Sequence, residues 1–296
     1  MDLSFDGRVA IITGAGGALG RSHALELAQR GAKVVVNDLG GSVHGEGGAT
    51  TAAQQVVDEI TASGGEAVAN FDSVTTPEPI VQSALDAFGR IDILVNNAGI
   101  LRDKAFHNMS GEEIDTVLDV HLRGAMHLTQ LAFKLMREQR FGRIINTTSA
   151  SGLFGNFGQA NYGAAKAGLF GLTRVLAQEG ARANIFVNAV APLARSRMTE
   201  GLLGDLTDLL DPKSVTAVVT YLAHESCELN GYVYSVAGNR VARIFMAETQ
   251  GIVLPSLTPE AVRDNFEAIN DLDGYFVPGS LSEALEAVQQ ALKGQL

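Results

Sequence analysis

Tyr162 and Lys166 are the residues whose types and spacing most directly indicate acid–base chemistry. They stand four positions apart in a predicted helix, so their side chains share one face of it. A tyrosine phenol exchanges protons poorly at neutral pH, but a nearby ammonium stabilises the phenolate and lowers its pKa. Ser149, at the end of the preceding strand pattern, can hold a reacting oxygen. Together they predict general acid–base catalysis.

A stretch near the amino terminus predicts the partner for this chemistry. An apolar strand pattern at 9–12 leads into a glycine-rich turn, a helix pattern, a second apolar run at 34–36 and then Asp38. This order is typical of a dinucleotide-binding βαβ unit, in which glycines admit the diphosphate and the helix start attracts it. The residues expected to contact the dinucleotide here are Gly14, Gly16, Gly17, Leu19, Gly20 and Asp38.

Asp38 indicates which dinucleotide is used. A carboxylate at the end of the second strand can accept hydrogen bonds from both hydroxyls of an adenosine ribose. It would repel a 2′-phosphate. The sequence therefore predicts NAD rather than NADP as the cofactor, with no metal.

Composition narrows the class of protein. The chain has 296 residues, of which 46% are hydrophobic and 19% charged, and these values are typical of a soluble domain with a sizeable core. A net charge of −11 disfavours nucleic acid as a partner. Cys227 is the single cysteine, and the chain lacks a signal peptide pattern, a membrane-length apolar run and a peroxisomal tripeptide. We expect a cytoplasmic protein without a membrane partner.

The periodicity predicts how these residues are positioned. Strand patterns alternate with helix patterns, which favours an α/β fold: a doubly wound, Rossmann-type, seven-stranded parallel sheet with helices on both faces. Residues 1–240 form one predicted domain, and 241–296 form a helical extension that packs on this domain or on a partner subunit. Predicted strands are 9–12, 34–36, 67–71, 91–95, 142–149, 185–190 and 232–236, and predicted helices are 50–62, 77–88, one from 110, and 160–180.

The predicted strand ends bring the candidate residues together. Gly14, Asp38, Asp72, Asn97 and Ser149 each follow the carboxyl end of a predicted strand. Ligands of open parallel sheets bind at that edge. One site at this edge is therefore expected.

Four motifs, in order and spacing, are similar to those of the short-chain dehydrogenase/reductase family. They are the segment 13–20 (TGAGGALG), the segment 96–99 (NNAG), Ser149 thirteen residues before Tyr162, and the segment 162–166 (YGAAK). The resemblance covers 5–240. It implies that Tyr162 exchanges a proton with an alcohol or ketone, that Lys166 also holds the nicotinamide ribose and that Ser149 orients the substrate. It implies cofactor contacts by Asp72, Ser73, Val74, Asn97, Ala98 and Gly99.

One position departs from the family pattern. Where the family usually has an asparagine that completes a proton relay to the lysine, this chain has His121. An imidazole can both donate and accept a hydrogen bond, so a relay through His121 is one interpretation. A histidine held by main-chain hydrogen bonds is the alternative.

A subgroup resemblance suggests the substrate. The segments 34–41, 69–74, 149–162, 196–199 and 258–265 resemble the (3R)-hydroxyacyl-CoA dehydrogenase unit of type 2 multifunctional enzymes, here in a stand-alone, bacterial form. Cationic residues that could meet CoA phosphates, or be ordinary surface charges, are Arg102, Lys104, Arg195 and Arg197. Apolar residues that could line an acyl or steroid pocket, or belong to the core, are Leu153, Phe154, Phe157, Leu193 and Met198.

Other functions stay open at this point. A 17β-hydroxysteroid dehydrogenase and an NADPH-linked 3-oxoacyl reductase are the enzymatic alternatives, and Asp38 disfavours the latter. A nucleotide-sensing scaffold on the same fold is the non-enzymatic alternative, although it would have no need of Tyr162 and Lys166. A methyltransferase is disfavoured on the same ground. The resemblance also implies a homodimer or homotetramer.

Overall fold

A computed structural model describes residues 2–42, 44, 51–195 and 204–294, with the side chains of 204–206 excepted. The chain divides into two compact units, Met1–Arg243 and Ile244–Leu296. Part of the glycine-rich loop after Asp38, and the predicted segment 196–199 with Arg197 and Met198, lie outside the described residues.

The first unit is built on one sheet with the strand order β3-β2-β1-β4-β5-β6-β7-β8. The pairs from β3 to β7 are parallel, with Ile12 opposite Val36 and Ile12 also opposite Val95. The order reverses beside β1, as in doubly wound sheets. The strands are β1 (Val9–Thr13), β2 (Lys33–Asn37), β3 (Ala67–Asn70), β4 (Ile93–Asn96), β5 (Gly142–Thr147), β6 (Ile185–Leu193), β7 (Val233–Ala237) and β8 (Arg240–Ile244).

The predicted α/β class is confirmed, and the predicted count of seven strands is wrong. An eighth strand, β8, follows β7 after only two residues, a link that permits a hairpin and no crossover. Gly238 makes this turn with a φ of +52°, and a Cβ there would lie 2.6 Å from the Leu209 carbonyl oxygen. The sheet therefore ends in a hairpin that apolar periodicity did not reveal.

Helices cover both faces of the sheet because the strands are apolar on both faces. Ile11 and Ile12 are consecutive and both fully buried, and they belong to opposite core layers. One layer contains α1, α2 and α8, and the other contains α3, α5 and α7. The helices of this unit are α1 (Ala18–Gln29), α2 (Thr51–Ala62), α3 (Glu78–Phe88), α4 (Gly111–Leu118), α5 (Ala125–Gln139), α6 (Ala150–Phe154), α7 (Ala160–Gly180) and α8 (Pro212–Ala223).

A π-helical turn separates α4 from α5. A capping box opens α4: the Ser110 hydroxyl accepts from the Glu113 amide, and the Glu113 carboxylate accepts from the Ser110 amide. The helix predicted to continue from there widens into a π turn at Asp119–Gly124. Such turns are rare in proteins, and those that do occur are often found at functional sites. This one contains His121.

The second unit contains α9 (Pro259–Asp264), α10 (Phe266–Ile269) and α11 (Leu281–Lys293). The Thr258 and Ser280 side chains cap α9 and α11 by accepting from backbone amides of the first turn. Leu281, Leu285 and Leu292 on α11 are each more than half exposed. Across the described ranges, no helix has both the length and the apolar character needed to span a lipid bilayer.

Candidate active site

A cavity of about 370 Å³ lies at the carboxyl edge of the sheet, beside the point where the strand order reverses. Eleven predicted cofactor residues line it: Gly14, Gly17, Leu19, Gly20, Asp38, Asp72, Ser73, Val74, Asn97, Ala98 and Gly99. Gly16, Tyr162 and Lys166 do not line it. Residues that sequence reasoning did not single out also contribute, among them Asn37, Thr75, Ile100, Thr116 and Val120.

The glycine turn has the shape that a diphosphate requires. Gly14 has a φ of +64°, and a Cβ there would lie 2.9 Å from the Ala98 Cα. A Cβ on Gly20 would lie 2.3 Å from the Gly14 carbonyl oxygen. The cap residue of α1, Gly17, supplies no side-chain hydrogen bond, so the first-turn amides of α1 are left for a ligand. The cradle fits an anionic dinucleotide.

Asp38 is fixed by two backbone amides at the rim of the cavity. Its Oδ2 accepts from the Gly16 amide at 2.8 Å, and its Oδ1 accepts from the Gly40 amide at 2.7 Å. Each carboxylate oxygen retains a further lone pair. Gly16 therefore acts by holding Asp38, and Asp38 retains the capacity to accept ribose hydroxyls.

Asn37 also lines the cavity, and the sequence pattern did not single it out. It is buried, and its Nδ2 donates to the Asn70 Oδ1 at 2.7 Å and to the Asp72 carbonyl at 2.8 Å. Asn70 in turn donates to the Asp72 carboxylate at 2.8 Å. The only sequence signal for Asn37 was its place at the end of a buried apolar strand, as a residue with an amide side chain. Asp72 thus owes its position to two asparagines beneath it.

Asn97 joins the glycine turn to the segment after β4. Its Nδ2 donates to the Thr13 carbonyl at 2.9 Å and to the Gly14 carbonyl at 3.2 Å. The Thr13 hydroxyl accepts from the amides of Asn97 and Ala98, both at 3.0 Å. The Asn97 side chain therefore shapes the cavity wall and directs its amide into the protein.

Tyr162, Lys166 and Ser149 form one cluster beside this cavity. Tyr162 and Lys166 lie on α7, and the Lys166 Nζ is 5.6 Å from the centre of the Tyr162 ring. Ser149 caps α6, and its side chain is near enough to Tyr162 to influence the pKa of the phenol. Lys166 is 3% exposed, and its Nζ donates to the Thr147 carbonyl at 2.6 Å.

Burial dominates the titration of this cluster. It raises the pKa of Tyr162, and the Ser149 hydrogen bond opposes that rise while the charge of Asp103 adds to it. Burial lowers the pKa of Lys166 to about 7. The lowered Tyr162 pKa expected from the sequence is therefore wrong for this structure, because desolvation of the phenolate outweighs the stabilising contacts.

His121 is held by main-chain groups inside the π turn. It is 2% exposed, and its Nε2 lies 2.7 Å from the Ile100 oxygen and 2.9 Å from the Ile100 nitrogen. Its ring meets the Tyr162 ring edge-on, with centroids 5.1 Å apart. Only a glycine fits at position 99, since a Cβ there would lie 2.2 Å from the His121 Cε1.

His121 is neutral and carries one unpaired ring nitrogen. Burial, and then the charge of Lys166, lower its pKa well below the ordinary value. Among the described residues, none hydrogen-bonds to its Nδ1. A cavity of about 10 Å³ is lined by His121, Lys166, Thr13 and Asn96. This is close to the space that one water molecule needs.

The candidate substrate residues fall into two groups. Lys104 is in an ion pair with Glu113 at 3.0 Å, and the Arg102 carbonyl accepts a hydrogen bond from Asn161. Arg195 is exposed. Leu153 is half-buried, whereas Phe154, Phe157 and Leu193 are 74%, 89% and 40% exposed. None of these three belongs to the core, so they are available to an apolar ligand.

Comparisons with known proteins agree with this geometry. The sequence profile described as short chain dehydrogenase matches residues 8–202. The fold matches the structure of full-length peroxisomal multifunctional enzyme type 2 from Drosophila melanogaster with a TM-score of 0.85 and 41% identity, covering 99% of this chain and 50% of that one. The chain thus spans half of that enzyme.

Two relatives from Mycobacterium tuberculosis are closer to this chain in length. One, a short-chain type dehydrogenase/reductase, is 49% identical over 279 residues, or 92% of this chain and 97% of that protein. The other, a hydroxyacyl-CoA dehydrogenase, is 40% identical over 266 residues, or 82% and 80%. The chain belongs to the short-chain dehydrogenase family, as its motifs predicted, and its cofactor class is a nicotinamide dinucleotide.

Proposed function

We propose that this short-chain dehydrogenase oxidises the secondary alcohol of a (3R)-hydroxyacyl-CoA with NAD. The observation that carries the proposal is the clustering of Ser149, Tyr162 and the buried Lys166 next to a cavity shaped for a dinucleotide. A secondary alcohol becomes a ketone when it loses a proton from oxygen and a hydride from carbon. The cluster supplies the base.

Each residue of the cluster has a distinct role. Tyr162, as the phenolate, takes the alcohol proton, and Ser149 holds the substrate oxygen against it. Lys166 would place its Nζ, whose pKa burial lowers to about 7, near Tyr162 and the nicotinamide ribose. Because the pKa of Tyr162 is raised, the phenolate becomes more abundant as the pH rises, so alcohol oxidation should accelerate towards alkaline pH.

NAD fits the residues that line the cavity. The first-turn amides of α1 and the glycine turn would hold the diphosphate, Asp38 the adenosine ribose, and the wall at Asp72 to Val74 the adenine. When bound, the nicotinamide supplies the hydride acceptor. The preference for NAD over NADP rests on Asp38, whose charge repels a 2′-phosphate.

We further propose that His121 takes part in a proton relay from Lys166. Its unpaired Nδ1 and the small cavity that it lines together with Lys166 support this role. Its neutral state lets one nitrogen donate while the other accepts. Replacement by asparagine, the usual residue of the family, should preserve turnover better than replacement by alanine. Equal turnover of both variants and wild type would refute the relay.

The substrate class rests on apolar surface and on relatives. Phe154 and Phe157 are exposed on the segment after β5, close in sequence to Ser149, where an acyl chain or a steroid could cover them. The printed name of one relative, hydroxyacyl-CoA dehydrogenase, favours the acyl-CoA. A 17β-hydroxysteroid is the second candidate, since the same apolar residues suit it. The intact Ser149, Tyr162 and Lys166 disfavour a nucleotide-sensing scaffold.

A steady-state panel tests the proposal. NADH formation is followed with (3R)- and (3S)-hydroxyacyl-CoAs of several chain lengths and with 17β-hydroxysteroids, each with NAD and with NADP. We expect the highest kcat/KM for a (3R)-hydroxyacyl-CoA with NAD. A preference for the steroid or for NADP would replace the proposed substrate or cofactor, and no turnover would refute the function.

We also propose a homo-oligomer in the cytoplasm, a dimer or a tetramer. One side of α11 carries four exposed apolar residues, as expected for a surface that binds another subunit. They are Leu281, Leu285, Val288 and Leu292. The single cysteine, Cys227, is buried and free, which suits a reducing compartment. Light scattering after size-exclusion chromatography tests the oligomer, and a monomer at micromolar concentration would contradict it.

A further inference from the structure

Asn161, the residue immediately before Tyr162, has no part in the proton transfer and yet is 2% exposed. Its side chain makes three hydrogen bonds. The Nδ2 donates to the Arg102 carbonyl at 3.1 Å and to the Glu113 carbonyl at 2.9 Å. The Oδ1 accepts from the backbone amide of Tyr162 at 2.7 Å.

These hydrogen bonds join three separate elements. Arg102 lies on the segment after β4, Glu113 lies in α4, and Tyr162 lies in the first turn of α7. A first-turn amide has no acceptor within its own helix, so the Asn161 oxygen supplies one. Both N–H groups of the amide are used, and no other side chain of this size offers the same two donors and one acceptor.

A second, exposed link runs parallel to this one and provides a comparison. Gln159 donates from its Nε2 to the Asp103 carboxylate at 2.6 Å. It connects the same segment after β4 to the residue that precedes α7, but it does not touch the Tyr162 amide. Gln159 can therefore report what loosening the segment alone would do.

We propose that Asn161 is a positioning residue that fixes Tyr162 against the wall formed by α4 and the segment after β4. This inference rests on the proposed function. The reactivity of the Tyr162 phenol depends on its placement, because it must stay close to Ser149 and to Lys166. A misplacement of about 1 Å at a reacting group can cost on the order of 100-fold in rate.

The same contacts predict how the titration of Tyr162 changes without Asn161. Burial and the charge of Asp103 both raise the pKa of Tyr162. Asn161→Ala releases the segment that carries Asp103 and admits water beside the phenol. Both changes lower the pKa of Tyr162 towards its ordinary value. Asn161→Asp instead adds a buried negative charge at the Tyr162 backbone amide, so it should raise that pKa.

The experiment compares Asn161→Ala, Asn161→Asp and the control Gln159→Ala with wild type. We expect kcat for the alcohol to fall on the order of 100-fold in both Asn161 variants, with unchanged NADH affinity by fluorescence titration, and to stay near wild type in the control. The pH at which kcat is half-maximal should fall in Asn161→Ala and rise in Asn161→Asp. Unchanged kcat in Asn161→Ala, or an equal loss in Gln159→Ala, would overturn the proposal.

A measurement without substrate separates this inference from the proposed function. The phenolate absorbance of Tyr162 is obtained as the difference between each protein and the same protein carrying Tyr162→Phe, across a pH titration. The opposite pKa shifts of the two Asn161 variants should appear even if no tested alcohol is oxidised. Identical Tyr162 titrations in wild type and both variants would refute the positioning role, whatever the substrate.

Discussion

The two edges of the sheet use polar residues in opposite ways. At the amino edge, the Asp92 carboxylate is fully buried and accepts from Arg8 at 3.3 Å, from Arg90 at 2.7 Å and from the Val9 amide at 2.9 Å. At the carboxyl edge, Lys166 is as deeply buried, but no carboxylate is paired with it among the ion pairs of the described residues.

Arg143 makes the contrast sharper. This buried side chain at the start of β5 donates to the Gly142 and Asn184 carbonyls at 2.8 and 3.0 Å, and its guanidinium stacks on Phe141 and Phe186. Its guanidinium N–H groups thus donate to carbonyls of the protein itself. The His121 Nδ1, by contrast, has no hydrogen-bond partner among the described residues. The polar groups of Asp92 and Arg143 at the amino edge are thus paired within the protein, whereas the carboxyl edge keeps the His121 Nδ1 without a partner among the described residues.

The largest expected effect is a loss of activity from a substitution at the carboxyl edge. Lys166→Met keeps the shape of the side chain and removes the ammonium, so kcat/KM should fall on the order of 10³-fold. The free energy of unfolding should stay equal or rise, because a buried charge is no longer desolvated. Denaturant titration and NADH formation give the two values. A loss of stability that parallels the loss of activity would contradict the contrast between the edges.

The amino edge should respond in the opposite way. Asp92→Ala leaves the Val9 amide without its acceptor and two guanidinium groups without their shared carboxylate, so we expect a loss of about 3 kcal/mol in the free energy of unfolding. The KM for NAD should not change. Arg90→Ala is the matched control and should cost less, because Arg90 is 41% exposed and Arg8 still pairs with Asp92. Lost activity in a folded Asp92→Ala protein would show that this edge is not purely structural.

A buried histidine between the edges predicts how stability depends on pH. His23 on α1 bonds to Thr216 on α8 at 2.7 Å, and burial lowers its pKa to about 3. Below its ordinary pKa of 6.5 the unfolded chain binds a proton that the folded chain does not, so stability is full above that pH and is lost as the pH falls. The loss should reach about 2 kcal/mol at about pH 5.

His23→Gln keeps a hydrogen-bonding side chain and removes this titration. Urea unfolding at several pH values should give a shallower acid slope for this variant than for wild type. His127→Gln, at an exposed position of α5, is the control and should leave the slope unchanged. Equal slopes in all three proteins would contradict the assignment.

The smallest effect concerns cofactor choice at the carboxyl edge. Asp38→Ser removes the charge that repels a 2′-phosphate and weakens a hydrogen bond to ribose, so the ratio of kcat/KM for NAD to that for NADP should fall roughly tenfold or more. The unfolding free energy should change little, because Asp38 is only half-buried. An unchanged ratio would refute the role of Asp38.

Much of the candidate site at the carboxyl edge could be predicted from the sequence, because its residues directly follow predicted strands. Residues such as Gly14, Asp38 and Asn97 follow buried apolar runs, and parallel strands place their carboxyl ends at one edge. All three of these residues line one cavity at that edge. The roles assigned to the individual residues remain proposals.

What could not be predicted depends on tertiary packing. The π turn at Asp119–Gly124 keeps the helical apolar pattern, and its cause lies in neighbours such as Val74, whose carbonyl oxygen would lie 2.9 Å from a Cβ on Gly124. Asn161 was not noticed because its partners, Arg102 and Glu113, are distant in sequence. The raised pKa of Tyr162 follows from burial, which residue spacing does not report.

The most direct test of the central claim is the rate of NADH formation from a (3R)-hydroxyacyl-CoA by Tyr162→Phe. The variant removes one oxygen from the carboxyl edge and keeps the ring that packs on His121. We predict a fall in kcat of about 10³-fold, with NADH affinity and unfolding free energy equal to those of wild type. Wild-type turnover by this variant would contradict the assignment of Tyr162 as the base.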